Sequence, residues 1–87
     1  MEITEIPPKL HWACRRGMLE LDVLLGNFLQ EAFLTLNSAD QDSFVQLLSN
    51  TDQDLFIWLT AREPAPEATT AAMIGRIRDH AQNRHST

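Results

Sequence analysis

A chain of 87 residues with 44% hydrophobic residues and a formal net charge of −5 is one small domain, too small to hold a sizeable cofactor in its interior. At this length little more than about 60% of the unfolded chain's surface is buried on folding, so most apolar side chains must be spent on a thin core. The acidic balance excludes binding to a phosphate backbone, which needs clustered Lys and Arg; no apolar run approaches the roughly 20 residues of a membrane span, and the single cysteine excludes an internal disulfide and fits a reducing compartment.

Residues 1–7 read as a lead-in, acidic and mobile at its start. It has neither the basic and apolar regions of a secretory signal nor the acid-poor composition of a transit peptide, since Glu2 and Glu5 come first, and a cytoplasmic chain is expected. Pro8 suits a first helical position, where its missing N–H is not needed, and starts a helix predicted to run to Arg16. Leu10, Ala13, Cys14 and Gly17 share one face of it; Trp12, Arg15 and Arg16 share another.

The second helix, expected over Glu20–Leu36, carries the clearest periodicity: Leu21, Leu24, Leu25, Phe28, Leu29, Ala32, Phe33 and Leu36 form a wide apolar stripe. Gly26 interrupts it at a cost of about 1 kcal/mol relative to alanine, which fits either a close neighbour or an unconstrained exposed position. Asn37-Ser38 breaks the pattern, with Ser38 as N-cap and Gln41 completing a capping box for a third helix over Ala39–Ser49. Thr51 or Asp52 then caps a fourth, Gln53–Ala61, whose Leu55, Phe56, Trp58 and Leu59 make it apolar on most of its circumference and predict a central place in the bundle. Pro64-Ala65-Pro66 stops the chain and restarts it. The fifth helix, Pro66–Asn83, has a narrow stripe of Met73, Ile74, Ile77 and Ala81 and is expected to be the most loosely attached, with residues 84–87 fraying. No strand period appears, so the expected fold is all-α, a compact five-helix bundle in a single small domain, with helices over 8–83.

The densest mixture of charges at a turn is Arg15-Arg16-Gly17-Met18-Leu19-Glu20-Leu21-Asp22. Gly17 reads as the left-handed residue after a helix end, because only glycine enters that conformation without a Cβ penalty. Glu20 and Asp22 then meet the positive end of the next helix dipole, and the arginines the negative end of the previous one. One reading is purely structural, an Arg16–Glu20 ion pair across a well-capped corner. The other is a surface where Arg15, Arg16, Trp12 and Trp58 supply arginine and aromatic anchors for another protein. Other chemistry fails at this level. His11 and Cys14 with the distant His80 and His85 do not make a zinc set, which needs about four ligands. Cys14 falls on the apolar face without a base to activate it. The aspartates at 40, 42, 52 and 54 are spaced as helix caps and not as a calcium loop. A helix-turn-helix made of the third and fourth helices would present those aspartates to phosphates.

At this corner the chain resembles the succinate dehydrogenase assembly factor family. Arg16-Gly17-x-x-Glu20 matches its R-G-x-x-E motif, supported by His11-Trp12-Ala13-Cys14 upstream and Asp54-Leu55-Phe56-Ile57-Trp58-Leu59 downstream. The similarity covers nearly all of the first four helices, in order. It implies a five-helix, monomeric assembly factor, not an enzyme, that binds the flavoprotein subunit of succinate dehydrogenase, and in many members of fumarate reductase. Such a factor promotes covalent attachment of FAD to a histidine of that subunit. FAD would belong to the client, and no cofactor or metal would be held stably by this chain. On this reading Arg16 and Glu20 enter the client interface, Gly17 lets the backbone approach closely, Trp12 or Trp58 gives apolar anchorage, and Arg15 and Asp22 complete the surface. Two other roles remain open: an antitoxin-type protein-binding module and a transferase that binds FAD directly.

Overall fold

Pro7 sets the direction of the first helix: its φ of −66° and ψ of 144° are extended, its carbonyl accepts from the Leu10 N–H at 3.0 Å, and Pro8 follows as the first helical residue. In the computed structural model, which describes residues 3–61 and 63–84, this helix, α1, spans Pro8–Ala13. After it come α2 (Leu19–Glu31), α3 (Ser38–Leu47), α4 (Asp52–Phe56) and α5 (Ala68–Arg84), with a 3₁₀ turn at Phe33–Thr35 and a π turn at Ile57–Ala61. No strand occurs among the described residues, and the all-α, five-helix expectation holds. A Cα radius of gyration of 12.0 Å equals the roughly 12 Å of a compact single domain of this length. Residues 1 and 2 of the lead-in and 85–87 of the tail, His85 included, lie outside the described residues.

The core is built around three phenylalanines. Phe44 of α3 lies 5.4 Å from Phe28 of α2 and 5.6 Å from Phe33, centroid to centroid, within the offset-stacked and tilted arrangements that ring quadrupoles favour. Leu21, Leu25 and Leu29 continue the α2 stripe inward, and Leu47, Leu55, Met73 and Ile77 close on it from the other helices. The stripe predicted to continue as helix to Leu36 changes geometry at Ala32, whose φ of −122° ends α2. The tighter 3₁₀ turn that follows keeps both Phe33 and Leu36 buried.

Other expectations are corrected too. The third helix is capped one residue earlier than predicted: Asn37 Oδ1 accepts from the Asp40 N–H at 2.9 Å, leaving Ser38 inside the helix. Gln41, freed from a capping box, turns inward. It accepts from Ile3 N–H at 2.7 Å and donates to the Ile3 and Phe33 carbonyls at 3.0 and 3.2 Å. Buried amides persist when their donors and acceptors are used in this way, and the lead-in is therefore tied down from Ile3 onward.

The fourth helix is less central than its composition suggests, since Phe56 is only half-buried and Ile57 is 36% exposed. Its π turn buries the adjacent Trp58 and Leu59. Finally, α5 is not loosely attached. Met73, Ile74 and Ile77 pack it against α2, α3 and the π turn, and Arg84, itself helical, grips Glu31 through Nε and Nη2 at 2.8 and 2.9 Å. That bond holds the Glu31 carboxyl below its usual range. Arg76, earlier on α5, pairs with Asp40 of α3. Exposed pairs of this kind add little stability, so the attachment rests on the buried stripe.

Candidate functional site

The link between α1 and α2 folds back through Gly17, the described residue with positive φ, at +83°. An L-residue there would carry about 1–2 kcal/mol of left-handed strain, although an added Cβ would meet nothing within 4 Å. Within the chain Gly17 is thus required for the bend, not for room. The preceding helix ends at Ala13 and not at Arg16, so both arginines stand in the link. Glu20 and Asp22 lie in the first turn of α2, as expected, and Asp22 Oδ1 draws the link closed by accepting from the Arg16 N–H at 2.6 Å.

Arg16 does not pair with Glu20. Its side chain, 16% exposed, reaches across to the turn between α3 and α4 and forms an ion pair with Asp52 at 2.7 Å. The same guanidinium donates to the carbonyls of Ala13 at 3.1 Å, Leu48 at 2.9 Å and Asn50 at 2.8 Å. Ala13 is the last residue of α1 and Leu48 the C-cap of α3, so two of these carbonyls stand at helix ends, where helical donors run out and the dipole is negative. Hydrogen bonds to a charged group contribute about 1.5–3 kcal/mol each. Arg15 and Glu20 are left exposed, with no ion pair among the described residues.

Beside this corner the surface is unusually apolar. Trp12 is 75% exposed, Leu19 79% and Val23 49%. They flank an open groove of about 760 Å³ whose lining also includes Arg15, Asp22 and Gly26. Gly26, in that lining, has no close neighbour, which favours the reading of an unconstrained position over that of a tight contact. Of the anchors predicted from the sequence, the fold gathers Trp12, Arg15, Gly17, Glu20 and Asp22 around one corner. Trp58 is not among them: at 9% exposure it belongs to the core. Leu19 and Val23 lie outside the core stripe that periodicity marks, although 19, 23 and 26 recur at helical spacing on a separate face. Local sequence marks Asp52 only as a helix cap.

Cys14 lies under the groove, 2% exposed, and burial pushes its thiol up to about 11 from the ordinary 9.0. Arg16 opposes that rise and Asp22 adds to it. The thiol is therefore protonated at neutral pH and unsuited to nucleophilic work. In the folded protein it should resist an aromatic disulfide reagent at pH 8 and react promptly once guanidinium unfolds the chain; rapid stoichiometric labelling of the native protein would contradict this burial. Since the folded pKa is the higher one, its contribution to stability is complete below about pH 9 and falls away as pH rises towards about 11.

A corner with exposed charges of both signs, an apolar ridge and a groove is equipped to bind another macromolecule. The family model described as the flavinator of succinate dehydrogenase matches residues 8–81. The FAD assembly factor SdhE of Haemophilus ducreyi is 47% identical over 70 residues, 80% of this chain and 85% of its own. That of Pseudomonas putida is 45% identical over 82 residues, 94% of this chain and 96% of its own. A solution structure of a UPF0350 protein superposes with a TM-score of 0.71 at 42% identity, covering 87% of this chain and 81% of that one. With its fold, its R-G-x-x-E corner and matches that span nearly its whole length, the chain belongs to the FAD assembly factor family, the flavinators of succinate dehydrogenase.

Proposed function

We propose that this protein binds the flavoprotein subunit of succinate dehydrogenase, and of fumarate reductase where that enzyme is present, and promotes covalent attachment of FAD to a histidine of that subunit. It does so as a monomer in the cytoplasm and is not itself an enzyme. FAD remains the client's cofactor. The observation that carries this reading is the juxtaposition of the Trp12–Leu19–Val23 ridge with exposed Arg15 and Glu20 at the motif corner. Trp and Arg are among the residues most enriched in binding hot spots, and Trp12 and Arg15 line one groove here.

The flavin supplies the reactivity for the bond to its own ring system, so the factor's part is orientation. Holding a client's domains so that imidazole and flavin meet in a reactive geometry removes part of the entropic barrier without any group on the factor touching the reacting atoms. Glu20, projecting from the first turn of α2, is the charge best placed to bind a client cation.

Glu20→Ala should leave helical content unchanged, because exposed substitutions shift stability by about 0.5 kcal/mol or less. It should lower covalent flavin on the co-expressed client by about five-fold or more, the loss expected when an interface contact worth over 1 kcal/mol is removed. Replacing Gly17 with a bulky residue should do the same through the bend. Wild-type in-gel flavin fluorescence of the client in both variants would refute the assignment of this corner.

A further inference from the structure

We infer that Arg16 is a positioning residue, which sets the geometry of the client-binding corner from behind its surface through Asp52 and the carbonyls of Ala13, Leu48 and Asn50. The inference rests on the function proposed above and divides the labour within the motif: Arg16 places, Gly17 bends and Glu20 meets the client.

The donor inventory of Arg16 supports this. A guanidinium has five N–H donors in a fixed plane. Nε is used on Asp52, Nη1 on both Ala13 and Leu48, and Nη2 on Asn50. A single Nη2 hydrogen is left over, whereas fork-like recognition of a client carboxylate or phosphate needs two parallel N–H groups. Arg16 cannot provide them without releasing its internal partners, and its side chain is 16% exposed. What the bonds do instead is fix three places relative to one another: the end of α1 that carries Trp12, the end of α3, and the start of α4. The Arg16 main-chain N–H, held by Asp22, adds the start of α2 that carries Leu19 and Glu20. The ridge and the exposed carboxylate of Glu20 stand on elements joined through this one residue. Asp52, 36 positions away in the chain, thereby belongs to the working surface without contributing to it directly. Lysine cannot substitute, since a single ammonium does not span a carboxylate and three carbonyls.

The test measures the affinity of purified Arg16→Lys, Asp52→Ala and the double variant for the apo-flavoprotein subunit, at a temperature where circular dichroism shows each to be folded. Ile77→Val on α5 serves as a control that loosens the core, lowering the melting temperature by a few degrees, away from the corner. We expect Arg16→Lys to weaken binding about tenfold, as loss of a charged network that sets a surface should. Asp52→Ala should weaken it too, and the double variant should be no worse than Arg16→Lys, the non-additivity of residues acting through one another. Ile77→Val should bind as wild type, and the Gly17 and Glu20 amide resonances of free Asp52→Ala should move. Wild-type affinity in Asp52→Ala with a loss in Arg16→Lys would overturn the inference and leave the proposed function standing, as would losses that multiply. Failure of the wild-type protein to bind the subunit would remove both.

Discussion

Replacing Trp58 with alanine should lower stability by about 3–5 kcal/mol, the usual consequence of removing a large buried aromatic. The ring lies in the core cluster at 9% exposure, on the π turn that joins α4 to the rest. A domain of this size begins with a modest reserve, and each kcal/mol moves the melting temperature by about 4–8 °C. Thermal denaturation followed by circular dichroism should therefore show a fall of more than about 10 °C. A melting curve superimposable on wild type would mean that the Trp58 site is not packed as described. Flavinylation by this variant should fail only to the extent that the protein is unfolded, which separates its role from that of a contact residue.

The opposite result is expected of Trp12→Ala. With 75% of its surface exposed, Trp12 holds little of the fold together. The variant should melt within a few degrees of wild type. Its affinity for the flavoprotein subunit should nonetheless fall by about 30-fold or more, the loss of about 2 kcal/mol or more that marks an aromatic hot spot. Titration calorimetry against the apo-subunit reads this directly. Unchanged affinity would remove the ridge from the interface and leave the charged corner to act alone. Two tryptophans that look alike in a helical pattern thus give opposite signatures, one in melting and the other in binding.

That pair also marks the limit of what could be read from the chain. Periodicity reports which residues share a helical face, and it found α2, the all-α fold and the order of the helices because Leu21, Leu25, Phe28 and Leu29 repeat cleanly. It does not report which of two apolar faces turns inward. Leu19 and Val23 recede behind the stronger core stripe for that reason, and Trp58 could be taken for a surface anchor. The bend at Gly17 was legible because positive φ has a residue-specific cost. The partner of Arg16 was not. Local charge spacing favours Glu20, four residues on, whereas the fold offers Asp52 together with three carbonyls, an assembly that exists only once α3 and α4 have packed. Gln41 illustrates the same point: a capping box is a local proposal, and a buried amide paired with a main chain 38 positions away is not visible to it.

The reach of Arg16 to residues 48–52 bears on when the protein becomes competent during synthesis. Its first helix, six residues long, is far below the length at which an isolated helix persists in water. A nascent chain that has not yet released Asp52 from the ribosome carries the whole R-G-x-x-E motif but nothing to hold it in shape. The geometry of the corner therefore waits on translation of the middle of the chain, and a truncated product would bear every residue of the motif without the contacts that shape it.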